Sequence, residues 1–220
     1  ESDRSLVGSE MCIRDSGISV GNQGDPVITG AVFSANYPVS VGAFQTVLVG
    51  GPYDAFVSKF DSNGGLLWST YYGGSSYDYG ASVYVDKSNN EIYITGQSGS
   101  TNFPIGALAG NTTHQATYPG DFSAFVVKFS AAGARVWSTF YGDNSARTFG
   151  SDIVVDNTSA VVICGSTEAT ANISTIGAAQ VNIAGHHDGF AAKFNTTGVL
   201  QWGTYLSLIH ISEPTRLRSI

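Results

Sequence analysis

KFDSNGGLLWSTYYGG, Lys59 to Gly74, is written twice more in the same chain: as KFSAAGARVWSTFYGD from Lys128 and as KFNTTGVLQWGTYL from Lys193. The pairs Lys59-Phe60, Lys128-Phe129 and Lys193-Phe194 are 69 and 65 residues apart, and Trp68, Trp137 and Trp202 keep that spacing. A second block has the same period: SGISVGNQGDPVITG ends at Gly30, GASVYVDKSNNEIYITG at Gly96, and GSDIVVDNTSAVVICG at Gly165. Two blocks sharing one period over three copies mark a repeat architecture.

One unit reads as four strands. GASVYVD is short and rich in β-formers, KSNN is a turn, and EIYITG is a second strand. DAFVSKF is a third, DSNGG a hairpin loop with glycine where positive φ is needed, and LLWSTYY a fourth. On the last of these, alternation puts Trp68, Thr70 and Tyr72 on one face. Four antiparallel strands per repeat describe a β-propeller blade, with strands A to D near Ala81–Asp86, Glu91–Gly96, Ala124–Phe129 and Val136–Tyr141. A parallel β-helix is the rival, but its repeats are usually shorter and need no hairpins. The expected fold is all-β: a fragment of about three four-stranded blades, open because propeller rings take about four to eight. Alone, such an arc is expected to expose blade faces and behave poorly.

Composition agrees. Of 220 residues, 42% are hydrophobic, 12% charged and 27 are glycine. The net charge of −7 argues against non-specific nucleic-acid binding, which needs a basic footprint. No apolar run is long enough to span a membrane as a helix. The ends have another texture: ESDRSLVGSEMCIRDS and SLIHISEPTRLRSI resemble translated sequencing-adapter DNA. Residues 1–15 and 207–220 are therefore expected to be artefactual tails, leaving 16–206 as the partial propeller, with units of about 17–74, 80–142 and 150–206. Without Cys12, Cys164 has no intrachain partner.

The motifs G-x-x-D-A-F-x-x-K-F, G-x-x-x-W-S-T-Y-Y-G-G, V-x-V-D, I-Y-I-T-G and N-F-P together resemble the SBBP repeat, the seven-bladed β-propeller repeat, over about Gly17 to Leu206. The third unit departs from the pattern: Cys164 stands in place of threonine and Ile173-Ser174 in place of Phe-Pro, while in the second unit Ser123 replaces aspartate. The resemblance implies a bacterial protein that is secreted or on the cell surface, and a scaffold without a common enzymatic activity.

Most residues with chemical promise have structural readings. Trp68, Trp137 and Trp202 sit at one strand position per blade and are expected to fill the space between blades. Phe60, Phe129 and Phe194 repeat with them. Lys59, Lys128 and Lys193 are expected to pair locally, with Asp86 and Asp156 as candidate partners. His186-His187-Asp188 does not recur and lacks a second ligand cluster, so it reads as a solvated loop. Cys164 reads as a small buried hydrophobe, and Asp78 as a turn cap rather than a calcium ligand. No catalytic residue, metal ligand or cofactor is assigned.

Strand alternation sends the A–B and C–D turns to one face and the B–C and D–A connections to the other. The first set is short, whereas the B–C connections Gln97–Phe122 and Ser166–His187 are long. Long loops on a rigid scaffold are where recognition concentrates. A ligand face is therefore expected to carry Tyr77, Tyr79, His114, Tyr118, Arg147, Phe149 and His187, for a glycan or an extended peptide. The expected function is non-enzymatic extracellular scaffolding or recognition, with the partner's identity open. The alternative is a piece of a propeller enzyme, quinoprotein dehydrogenase-like or glycosidase-like, with its active-site residues outside this chain. An S-x-D-x-G-x-x-W box is absent, because Asp61 lies seven positions before Trp68.

Overall fold

The computed structural model describes residues 13–143 and 146–207. Its regular structure is all β. β1 (Ile13–Val20), β2 (Pro26–Val32), β3 (Asp54–Phe60) and β4 (Leu66–Tyr72) form one antiparallel sheet. β5 (Asp78–Val85), β6 (Ile92–Ser98), β7 (Gly106–Ala107), β8 (Ser123–Phe129) and β9 (Arg135–Tyr141) form the second, in the order β5-β6-β8-β9-β7. β10 (Thr148–Val155), β11 (Val161–Thr167), β12 (Asp188–Phe194) and β13 (Leu200–Leu206) form the third. Among the described residues these are three blades of a β-propeller, each of four main strands with β7 as a short fifth at the edge of the second, and they do not close a ring. The backbone of Ile13, Arg14 and Asp15 pairs with Val32, Ala31 and Gly30. The first strand thus begins inside the segment read from the sequence as a tail; residues 1–12 and 208–220 lie outside the described residues. Each A strand shifts register at the same place, between Asp15 and Gly17, Gly80 and Ser82, and Gly150 and Asp152. One extra residue bends the strand there.

The core lies between blades rather than within them. Val57, Trp68 and Tyr72 of the first blade pack with Val83, Ile94, Phe125 and Phe129 of the second. Ala124, Val126, Trp137 and Tyr141 on the second blade's other face pack with Ile163, Phe190 and Phe194 of the third. Both faces of a central strand are therefore apolar, and β8 is buried along its whole length. The tryptophans seal these seams. Trp68 Nε1 donates to Ala131 O of the next blade at 3.1 Å, and Trp137 Nε1 to Thr196 O at 3.0 Å. Each indole lies over the next blade's C–D turn. At Gly133 a Cβ would come within 2.8 Å of the Trp68 ring, and the backbone there has φ +84°. Only glycine satisfies both conditions. Trp202 has no following blade among the described residues and is 40% exposed.

The exposure of Cys164 differs from the expectation that it is buried. Its repeat equivalents Thr29 and Thr95 are fully buried, and each donates its hydroxyl to a C-strand carbonyl, Phe56 O at 2.7 Å and Phe125 O at 2.8 Å. Across the seam they face Gly80 and Gly150 of the next blade's A strand. Cys164 faces no such strand and is exposed. Partial desolvation and the nearby Asp152 carboxylate raise its pKa, which keeps the thiol protonated. The glycines make the seam testable. A Cβ on Gly80 would stand 2.2 Å from Thr29 Oγ1, and one on Gly150 2.3 Å from Thr95 Oγ1. Gly80→Ala and Gly150→Ala are each expected to lower stability by ~1–3 kcal/mol, read from the urea midpoint. An unchanged midpoint would mean that the blades are not packed this closely.

The periodic lysines are anchored at the opposite end of the blades, by acids of the A–B turns. Lys59 Nζ lies 2.6 Å from Asp25, Lys128 Nζ 2.7 Å from Glu91 and Lys193 Nζ 2.7 Å from Asp156. The acid comes from the first position of the turn in the third blade and from the last in the other two. In the first blade the opening position is Gly21, and a Cβ there would lie 2.5 Å from Asp25 Oδ1. The Asp25 carboxylate occupies the space that a side chain at position 21 would take. Asp86, expected as a lysine partner, instead accepts from Ser159 Oγ of the third blade at 2.6 Å.

Candidate recognition surface

The long B–C connections do not stand up from the face as their length suggested. They fold down the outer edge of each blade and bond to the D strand. Ser40 N donates to Ser69 O at 3.2 Å and Tyr71 N to Gln45 O at 3.2 Å. Likewise Phe140 N donates to Gln115 O at 3.0 Å, and Tyr205 N to Gln180 O at 3.1 Å. In the second blade this contact becomes the short strand β7, paired with Trp137 and Ser138. The D strand would otherwise present a bare edge of backbone donors and acceptors, which proteins cover to prevent edge-to-edge association. Gln45, Gln115 and Gln180 hold the same place in each loop. Gln45 Nε2 donates to Asp54 Oδ2 at 2.8 Å, Gln115 Nε2 to Gly142 O at 3.3 Å and Gln180 Nε2 to Asp188 Oδ2 at 3.4 Å.

This course moves two expected ligand residues away from the face. His114 lies between the second and third blades, its ring 6.2 Å from that of Tyr141 and 6.0 Å from that of Phe194. Phe194 ends β12 at the opposite pole of the blade, and Thr112 N donates to Thr197 O in the C–D turn there at 2.7 Å. Tyr118 packs on Phe140 of the outer strand at 5.6 Å and against the first core cluster. Length alone placed these two on the face, whereas hydrogen bonds to the D strand hold them at its flank.

Tyr77, Arg147, Phe149 and His187 do stand at the B–C and D–A end, beside three aromatics not expected there, whereas Tyr79 does not. Phe33 leaves β2, and its ring lies 4.8 Å from Tyr53, which enters β3. Tyr53 meets Tyr77 edge-on at 5.3 Å across the first seam, and Tyr77 meets Phe122 at 6.2 Å. Across the second seam Phe122 meets Phe149 at 5.9 Å, and the Arg147 guanidinium stands 6.0 Å from the Phe122 ring. The result is a ladder of five rings over three blades, each at the end of a strand. Phe33 and Tyr77 are more than two-fifths exposed, and Tyr53, Phe122 and Phe149 are half-buried. Polar groups flank the ladder: Arg147 Nε pairs with Asp121 at 2.8 Å, and His187 Nε2 with Glu168 at 3.2 Å. Tyr79, one step into β5, turns toward the inner strands and hydrogen-bonds the Ser16 hydroxyl. A signal for the missed residues was present in the repeat. Tyr53, Phe122 and His187 share one position, and so do Tyr77 and Arg147.

Beneath the first two tyrosine rings lie two acids, Asp54 and Asp78, both fully buried. Burial pushes the Asp54 pKa up to about 7, with the Asp78 charge adding to the shift, and burial pushes Asp78 up to about 6. Both are enclosed, so neither is placed to meet a ligand on the ladder.

Residues 67–104 match the model of the SBBP family, described as a beta-propeller repeat. The matched segment runs from the D strand of the first blade to the end of strand B and beyond in the second, and so contains the first seam. No curated protein matches the chain. Among solved structures, the hydrazine synthase of Kuenenia stuttgartiensis is similar, with 9% identity and a TM-score of 0.42 over 94% of this chain. The chain spans about half, 53%, of that chain's length.

Proposed function

We propose that this chain is a non-enzymatic recognition module of an exported protein, and that its ligand lies along the ring ladder Phe33–Tyr53–Tyr77–Phe122–Phe149. The observation that carries this is the continuity of the ladder across both seams, with ring spacings of 4.8, 5.3, 6.2 and 5.9 Å. Aromatic rings held in a row by strand ends offer apolar faces at low entropic cost. The Asp121–Arg147 and Glu168–His187 pairs supply hydrogen-bonding groups beside them. Flat apolar faces flanked by polar groups suit the two-sided chemistry of a glycan chain, and an extended peptide is the second ligand class. Export is supported by the resemblance to cell-surface repeats.

The test is a titration of the chain with soluble oligosaccharides, chito- and xylo-oligomers among them, and with extended peptides, by calorimetry. Tyr77→Ala and Phe122→Ala are expected to weaken binding about tenfold or more each, roughly 1.4 kcal/mol per factor of ten, while the chain stays folded with a melting temperature lowered by a few degrees at most. His114→Ala, at the blade flank, is expected to leave affinity unchanged. Equal affinity in all three variants would remove the ladder as the site. Turnover of any probe would favour a propeller enzyme instead.

A further inference from the structure

The two buried acids under the ladder come from different blades. Asp78 N donates to Tyr53 O at 3.1 Å, which sets the start of β5 beside the start of β3. Tyr53 and Tyr77 face outward with their rings in contact. One step along each strand, alternation turns Asp54 and Asp78 inward, and both are 0% exposed. Each has one oxygen engaged. Asp54 Oδ2 accepts from Gln45 Nε2 at 2.8 Å and Val49 N at 3.1 Å. Asp78 Oδ2 accepts from Gly74 N at 2.6 Å and Ser100 Oγ at 2.7 Å. The other oxygen of each, Asp54 Oδ1 and Asp78 Oδ1, is buried and makes no hydrogen bond of normal geometry, although the Ser98 hydroxyl stands near enough to Asp78 to favour its charged form, and among the described residues no other buried side-chain oxygen or nitrogen is in that condition. No lysine, arginine or histidine pairs with either acid among the described residues.

Buried carboxylates are normally paired, hydrogen-bonded or bound to a metal. The second seam shows the contrast. The positions of Asp54 and Asp78 are held there by Ser123 and Thr148. Thr148 Oγ1 bonds Thr167 Oγ1 at 2.9 Å, and Ser123 Oγ donates to Gly120 O at 3.3 Å. Where the residues are neutral every hydroxyl has a partner; where they are acids, two oxygens lack one.

We propose that Asp54 and Asp78 together bind a hard divalent cation, calcium by its chemistry, which clamps the first blade to the second beneath Tyr53 and Tyr77. Calcium accepts irregular sets of carboxylate, hydroxyl, amide and carbonyl oxygens, and oxygens of these kinds from Ser98, Ser100 and Gln45 flank the pair. Magnesium demands near-ideal octahedral geometry, which two acids from separate blades do not predispose. The site is independent of what the ladder binds. No sequence motif announces it, because its ligands lie on different repeats.

The probe is terbium, a calcium stand-in excited through nearby tyrosine, added to the chelator-treated full chain at neutral pH. Sensitised emission saturating at one ion per chain, reversed by calcium, is expected, and so is a melting temperature several degrees higher in millimolar calcium than in chelator. Asp54→Asn and Asp78→Asn are each expected to lose both effects, while Asp61→Asn, in an exposed turn, keeps them. If an asparagine variant does not fold, the wild-type stoichiometry and the calcium-dependent melting shift still decide. No emission and an unchanged melting temperature would overturn the site and leave a proton shared by the two carboxyls as the occupant. Equal response to magnesium and calcium would overturn the choice of ion.

Discussion

Trp137→Ala is expected to cost the chain about 3–5 kcal/mol, whereas Trp202→Ala, the same repeat position one blade on, costs about 1 kcal/mol or less. Both indoles arise from the same local motif at the same position of equivalent D strands, β9 and β13, so strand propensity does not separate them. What differs is the seam. Trp137 is 0% exposed, and its ring lies 6.4 Å from Phe194 while its nitrogen bonds the next blade's turn at 3.0 Å. Removing it opens a cavity between two sheets whose backbones are held apart by neighbouring contacts and collapse little. Trp202 has 40% of its surface exposed and only its own sheet to lose. Urea unfolding followed by tyrosine fluorescence checks both. Equal losses would show that these tryptophans stabilise their own blade rather than the seam.

Lys59→Ala is expected to cost about 3–5 kcal/mol, because it leaves Asp25 as a buried charge without its counter-ion. The side chains of the pair are 9% and 8% exposed, against 28% and 30% for Lys193 and Asp156. Lys193→Ala should therefore cost about 1 kcal/mol or less. The pH dependence carries the sign. Burial acts to raise the Asp25 pKa, but the hydrogen bond and charge of Lys59, with backbone donors, leave it below the ordinary carboxylate value. The stability so contributed is present above the ordinary carboxylate pKa and is lost as pH falls through the lowered one. In Lys59→Ala burial remains and the ammonium does not, so the Asp25 pKa rises. The variant's deficit is then expected to shrink as pH drops from about 7 toward about 4, where Asp25 is relieved by protonation. Unfolding curves at several pH values read this directly, and a deficit independent of pH would show that Lys59 acts through its aliphatic stem.

The legible part of the structure is the part that repeats. The spacing of Trp68, Trp137 and Trp202 predicted the three blades found among the described residues, and alternation with turn chemistry placed strands A to D within a residue or three of their ends. Asp61 and Asn195 accept from the backbone of their own C–D turns, at 2.8 Å for Asn63 N and 3.0 Å for Thr197 N, as local turn chemistry dictates. The candidate surface was half legible. Tyr77, Arg147, Phe149 and His187 stand where the D–A and C-strand positions put them. His114 and Tyr118 do not, since a long loop has no period that says which way it folds, and an uncovered D-strand edge captured it.

The sequence by itself determined the blade: its four strands, its hairpin glycines and the repeat that stacks one sheet on the next. These follow from local backbone preference and side-chain alternation, which act within a few residues. Tertiary structure decided everything that crosses a seam. It decided whether a tryptophan is sealed, as Trp137 is, or bare, as Trp202 is, and whether Cys164 is covered. It chose which turn acid reaches each lysine, and it placed Asp54 beside Asp78. The physical reason is that these contacts join residues from different repeats, and their energies depend on which surface the neighbouring blade brings to them.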